Sequence, residues 1–279
     1  MENVGERHGG RFSKALEREF REAYARSSVP FVSFGLLLAA TLYILFYFWD
    51  ITLDPRDAPQ ALAIRVPIAL IFAGFGVAMR YSEFLLRRMQ AVISILLIIA
   101  GCGIVVILVL LRQGMTLGIG GILLVLMYVY GFGRLLFFPS LVCGLLIVVA
   151  WNCAAVLTRS PVAYIISNNF FLVSATLIGA WTTFLLEKLF RAQFITNKEV
   201  EAERYRANHF VAAISHDLRQ PLTTLALRLK LLRERIGGGE LATDIQVLEQ
   251  QTGAIETMVG GTLVQRFRGA NRIRQRGRA

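Results

Sequence analysis

Two adjacent residues stand out for the chemistry they could do together: His216 and Asp217, with Pro221 on the next turn. A neutral imidazole is nucleophilic near neutral pH, and a neighbouring carboxylate can fix its tautomer or take up the proton released on attack. Around them Val211, Ile214, Leu218, Leu222, Leu225, Leu229, Leu232 and Ile236 recur at intervals of three or four, slipping from strict alternation only at Pro221. This spacing predicts a long helix with one apolar stripe, locally bent at the proline. His216 lies two residues from both Ile214 and Leu218, so it stands about 160 to 200° around the helix from the stripe and should face solvent. By itself a surface His-Asp pair is most often ordinary polar surface, and only its setting gives it weight.

The setting is a helical hairpin. Gly237, Gly238 and Gly239 end the first helix, and a second stripe begins at Leu241, Ile245 and Leu248, continuing weakly through Thr252 to Ile255 and Met258 or Val259. Two such helices leave too much apolar surface open, and pairing two hairpins into a four-helix bundle is the simplest remedy. A homodimer is therefore expected.

Upstream, the chain changes character. Of 279 residues, 55% are hydrophobic and 18% charged, and the mean hydropathy is +0.56. These values describe a membrane protein, and exclude a soluble enzyme or a secreted disulfide scaffold. Charge-free runs extend over Phe31–Trp49, Ala91–Leu111, Gln113–Gly133, Leu135–Thr158 and Ser160–Leu186. Each meets the length of about 20 helical residues needed to cross a hydrocarbon core. Ala61–Met79 makes a sixth span, with Arg65 near one end expected to snorkel to the interface.

Basic residues orient these six spans. Arg7, Arg11, Lys14, Arg18, Arg21 and Arg26 precede the first, Arg80, Arg87 and Arg88 follow the second, Arg134 follows the fourth, and Lys188 and Arg191 follow the sixth. The opposite loops are poorer in cations, and the loop Asp50–Gln60 is net acidic. Both termini are expected in the cytoplasm and the chain in the plasma membrane. A charged lead of this kind is unlike a cleavable signal peptide. Within it Phe12, Leu16, Phe20 and Tyr24 recur at every fourth place, as in a short amphipathic helix lying on membrane lipids or packed on a neighbour.

Between Glu83 and Glu187 there is no Asp or Glu, which counts against an ion-coupled transporter. Asn152, Asn168, Asn169 and Thr182 read as interhelical hydrogen-bonding groups, and Gly118, Gly120 and Gly121 as close helix packing. Cys102, Cys143 and Cys153 read as small core residues. After Leu186 a charged stretch without Gly or Pro suggests that the last span continues as a helix into the cytoplasm. The terminal Gly260–Ala279 carries Arg266, Arg268, Arg272, Arg274, Arg276 and Arg278, more than half of the net charge of +11. It is read as disordered, and no specific nucleic-acid partner is expected.

The run Phe210-Val211-Ala212-Ala213-Ile214-Ser215-His216-Asp217-Leu218-Arg219-Gln220-Pro221-Leu222 closely resembles the H-box of bacterial sensor histidine kinases, in the dimerisation and phosphoacceptor domain. The resemblance covers about Asn208 to Val259. It implies that His216 takes the γ-phosphoryl group of Mg-ATP on a ring nitrogen and passes it to an aspartate of a response-regulator receiver domain. Asp217 would orient the ring and act as base, and Pro221 would supply the bend. Gln220 stands where strongly phosphatase-active members resemble Thr or Asn. His209 and His8 lack this setting. The family's ATP-binding domain, with its Asn-box and glycine-rich lid, finds no counterpart after Val259, so no residue is assigned to ATP or to a metal, and the chain alone is expected to lack autokinase activity.

The N-terminal half resembles, in layout, six-helix sensory modules found ahead of bacterial kinase or cyclase outputs, which implies an intramembrane, lipid-borne or membrane-state signal. The expected organisation is all-α: a cytoplasmic segment 1–29, a six-helix transmembrane sensor bundle 30–186, a helical linker 187–207, a hairpin 208–259 that forms a dimeric four-helix bundle, and the tail 260–279. Alternatives are an incomplete membrane scaffold phosphorylated in trans and, less compatible with the loops, a six-helix transporter.

Overall fold

A computed structural model describes residues 12–236, 245–248, 250–255 and 257. Among the described residues the fold is all-α, with no strand. The chain divides into two compact units, 1–194 and 195–279, each described by itself.

Helix α1 spans Lys14–Leu45. Ser13 caps it, its Oγ accepting from the Leu16 N–H at 3.3 Å, and Glu17 in the first turn complements the helix dipole. The helix passes through Pro30 unbroken, so the amphipathic lead and the first span are one element. Of the two placements expected for the lead, packing on a neighbour is the one found. Phe20 meets Phe194 and Tyr24 meets Phe190, with ring centroids 5.6 and 5.3 Å apart.

Helices α2 (Tyr47–Leu53) and α3 (Ala58–Ala78) follow. Their junction corrects one expectation. Arg65 does not snorkel. It is 3% exposed and forms a two-pronged ion pair with Asp50, itself 1% exposed, from Nε at 2.6 Å and Nη2 at 2.8 Å, while Nη1 donates to the Tyr43 carbonyl at 3.1 Å. Helix α2 extends the first apolar run by one turn past Trp49 and carries Asp50 inward, off the loop where sequence had placed it. A buried guanidinium that finds a carboxylate has no reason to reach for the interface.

Short α4 (Glu83–Arg87) leads to α5 (Met89–Leu110). The expected fourth span, Gln113–Gly133, is not one helix. It divides into α6 (Gly114–Leu117), α7 (Ile119–Met127) and a turn of π-helix at Tyr128–Phe132. Gly114 lies against the Leu108 backbone and Gly118 against the Leu108 side chain and the Gly114 carbonyl, approaches that a Cβ at either place would prevent. Five helical stretches are long and apolar enough to cross a membrane: Lys14–Leu53, Ala58–Ala78, Met89–Leu110, Phe137–Leu157 and Val162–Val211. Ile119–Phe132 is apolar but shorter.

Helix α8 (Phe137–Leu157) and helix α9 (Val162–Ile236) complete the described order. The widest packing is α1 on α3 and α5 on α8, around a core that includes Leu36, Phe72, Ile93, Leu97, Ile147 and Trp151. The Asn pair behaves as expected of interhelical groups. Asn152 and Asn169 exchange amide hydrogen bonds of 2.9 and 2.8 Å between α8 and α9, and Asn168 donates to the Met115 carbonyl at 3.4 Å. Thr182 instead bonds its own helix, at the Ile178 carbonyl. Of the cysteines only Cys143 is a core residue; Cys102 is half-buried and Cys153 exposed, because α8 turns that face outward.

Candidate phosphoacceptor helix

His216 and Asp217 lie consecutively within α9, and Pro221 lies inside the same helix without ending it. Proline has no N–H, so Pro221 contributes no backbone donor to the helix. Just beyond, Thr223 Oγ1 donates to the Arg219 carbonyl at 2.9 Å and Thr224 Oγ1 to the Gln220 carbonyl at 3.0 Å. Hydroxyls that bond back onto the preceding turn slightly destabilise and often bend a helix, and these two do so directly after Pro221. Asp217, Arg219, Gln220 and Pro221 are all exposed. The direction of the His216 side chain lies outside what is described. His209 packs its ring 4.5 Å from Tyr205, one turn away on the same helix.

Much of the apolar stripe is open to solvent in a single chain. Ile214, Leu218, Leu225 and Leu232 are 40 to 50% exposed. Residues 245–248 and 250–255 are helical, with Ile245 and Thr252 buried. The expected Gly237–Gly239 turn and the stripe positions Leu241, Met258 and Val259 lie outside the described residues.

Within the first unit, α9 is clamped where its apolar run ends. Arg191 donates to Glu17 of α1 at 2.6 and 3.1 Å and to Glu187 at 2.8 Å, and its guanidinium lies 4.5 Å from the Phe20 ring centre. Glu187 also accepts the Phe137 N–H at 2.8 Å, capping the start of α8. The Arg191 hydrogen bonds, joined by those of Arg21, hold the Glu17 carboxyl below its ordinary value despite partial burial. Beside this clamp, Arg134 has a left-handed φ of 50°. Its carbonyl accepts from Tyr24 Oη and Gln90 Nε2, and its guanidinium sits 4.5 and 4.9 Å from the Phe31 and Phe190 ring centres. Sequence reading missed both the clamp and the Asp50–Arg65 pair. The Glu187–Arg191 contact has a local signal in its four-residue spacing, but Glu17 with Arg191 has none.

Comparison with known protein families finds two matches, one after the other along the chain. The MASE8 family model matches residues 48–201, more than half of the chain. The chain belongs to the MASE8 family. The His Kinase A (phospho-acceptor) domain model matches residues 206–264. Together the two matches identify a sensor histidine kinase, as the H-box had implied. No curated protein matches, and no solved structure does.

Proposed function

We propose that this membrane sensor histidine kinase carries its phosphoryl group on His216 and delivers it to an aspartate of a response-regulator receiver domain. The reading is carried by the phosphoacceptor-domain match over residues 206–264, in which His216-Asp217 precedes a proline inside an otherwise continuous helix.

A lone pair on an imidazole nitrogen attacks the γ-phosphorus of ATP, the bond from that phosphorus to the β–γ bridging oxygen breaks, and ADP leaves. The proton on the other ring nitrogen can pass to Asp217. Magnesium and ATP are the co-substrate. In this proposal an ATP-binding domain, of the same or another protein, brings the nucleotide to the helix. The exposed stripe from Ile214 to Leu232 suits a second copy of the chain, making the acceptor unit a dimer.

The test is labelling in nanodiscs with radiolabelled ATP and an added histidine-kinase ATP-binding domain. Labelling should be acid-labile, and lost in His216→Ala while the variant keeps its oligomeric state. Label that survives His216→Ala places the phosphosite elsewhere.

A further inference from the structure

The first unit holds a half-open cavity of about 140 Å³ between α1, α3, α5, α7 and the π-turn. Its walls are apolar, with the rings of Tyr43, Phe46, Phe72, Tyr128 and Phe132 prominent, and one charged side chain, Arg65, reaches them. At the rim Leu42, Leu124 and Met127 are 41 to 63% exposed. These residues lie in apolar helices, so the opening faces lipid. An apolar cavity of about 150 Å³ accommodates a single benzene ring.

The polar groups narrow the chemistry further. A guanidinium has five N–H donors. Three of those on Arg65 are used, two on Asp50 and one on the Tyr43 carbonyl; the other two have no acceptor among the described residues. Tyr128 Oη makes no hydrogen bond among them either, whereas Tyr43 Oη donates to the Ala100 carbonyl at 3.0 Å. The Arg65 charge is already matched by Asp50, so an anion would meet the carboxylate and a cation the guanidinium. An uncharged molecule offering one acceptor oxygen meets neither penalty and supplies the missing acceptor.

One wall of the cavity also touches the output helix. The π-turn presents Tyr128 and Phe132 to the cavity, while Tyr130 of the same turn abuts Gly144 of α8 and Gly179 of α9 and accepts a hydrogen bond at its carbonyl from Thr183 at 3.1 Å. Such turns recur at functional sites.

We infer that this cavity binds a small, uncharged, lipid-soluble molecule the size of one ring that carries a carbonyl-type oxygen, with the oxygen on the Arg65 guanidinium. That occupancy acts as the stimulus rests on the sensor reading above. Binding itself does not, and it is measured without any phosphorylation readout, so either idea can fail alone.

The experiment uses the full chain in nanodiscs and fluorine NMR with a matched pair of probes, 4-fluoroacetophenone and 1-ethyl-4-fluorobenzene, against empty discs. The ketone should bind saturably, one per chain, and the hydrocarbon about tenfold more weakly after correction for partitioning, the equivalent of one hydrogen bond to a charged donor. Ala39→Phe and Leu124→Phe, which fill the cavity from opposite walls, should each abolish saturable binding, with thermal unfolding confirming that the variant tested is folded. Unsaturable uptake matching empty discs, equal affinity for the two probes, or unchanged binding in a folded filled variant overturns the proposal; if neither variant folds, the probe pair on the unaltered chain decides.

Discussion

Replacing Arg65 with Met tests whether the buried pair holds the membrane unit together. In Arg65→Met, Asp50 loses two charge-assisted donors at 2.6 and 2.8 Å while remaining 1% exposed. Leaving one charge of a buried pair uncompensated costs about 3–5 kcal/mol. For a unit of this size that is a fall in Tm of roughly 6–20 °C. Asp50→Leu should be comparably damaging, because the guanidinium keeps only the Tyr43 carbonyl and the faces of Tyr43 and Phe46, whose centres are 5.3 and 5.8 Å away. The double variant removes both charges and should fall within about 1 kcal/mol of the unaltered chain, since well-packed apolar groups often replace a buried pair without loss. Unfolding followed by tryptophan fluorescence in mixed detergent–SDS micelles supplies the three values and their coupling. If either single variant loses less than about 1 kcal/mol, or the double loses the sum of the two, the pair does not carry the stability assigned to it.

Gly144→Ala drives a methyl into the Tyr130 hydroxyl and should destabilise by about 1–3 kcal/mol; adding Tyr130→Phe removes the atom it meets and should recover most of the loss in the same unfolding assay. Glu17 lies on the charged turns of α1 ahead of Phe31, with its folded pKa held below the ordinary 4.5 by Arg191. A depressed carboxyl stabilises above its unfolded value and loses that contribution as pH falls through the folded one, so the clamp should be constant from neutrality to about pH 5 and weaken below about 4.5. Partial exposure limits the effect to about 1 kcal/mol, and hydrogen exchange of the α1 amides around Glu17 should register it in the unaltered chain but not in Glu17→Gln.

The acceptor helix was legible because its determinants are local: an apolar period, a proline, and a run of residues around His216 that fits inside a few turns. The apolar spans were legible for the same reason, since a run such as Ala91–Leu111 announces its length directly. Gln113–Gly133 misled because hydropathy counts apolar residues without asking where the backbone must bend. Gly118 stands at the junction of α6 and α7, and it and Gly114 lie too close to Leu108 of the preceding helix for a Cβ, a contact that no hydropathy count registers. Arg65 was misplaced for a related reason. Its partner Asp50 stands at the end of a run that sequence closed at Trp49, and only the extra turn of α2 brings the two charges together. The clamp joins residues 17, 187 and 191, and no spacing rule reaches across 174 positions.

Because Val162–Ile236 is one uninterrupted helix, it keeps phase like a screw thread. Within the first unit it is gripped twice, by Asn152 at Asn169 and by Glu17 at Arg191, and each residue between the two grips adds about 100° of turn. The identity of most of the amino acids between them should therefore matter less than their number. Removing one should swing Asn169 by about 100° relative to Arg191, so that both partners can no longer be met at once, whereas removing seven should restore the bearing to within about 20°. A single-codon deletion there is a more severe change than most substitutions.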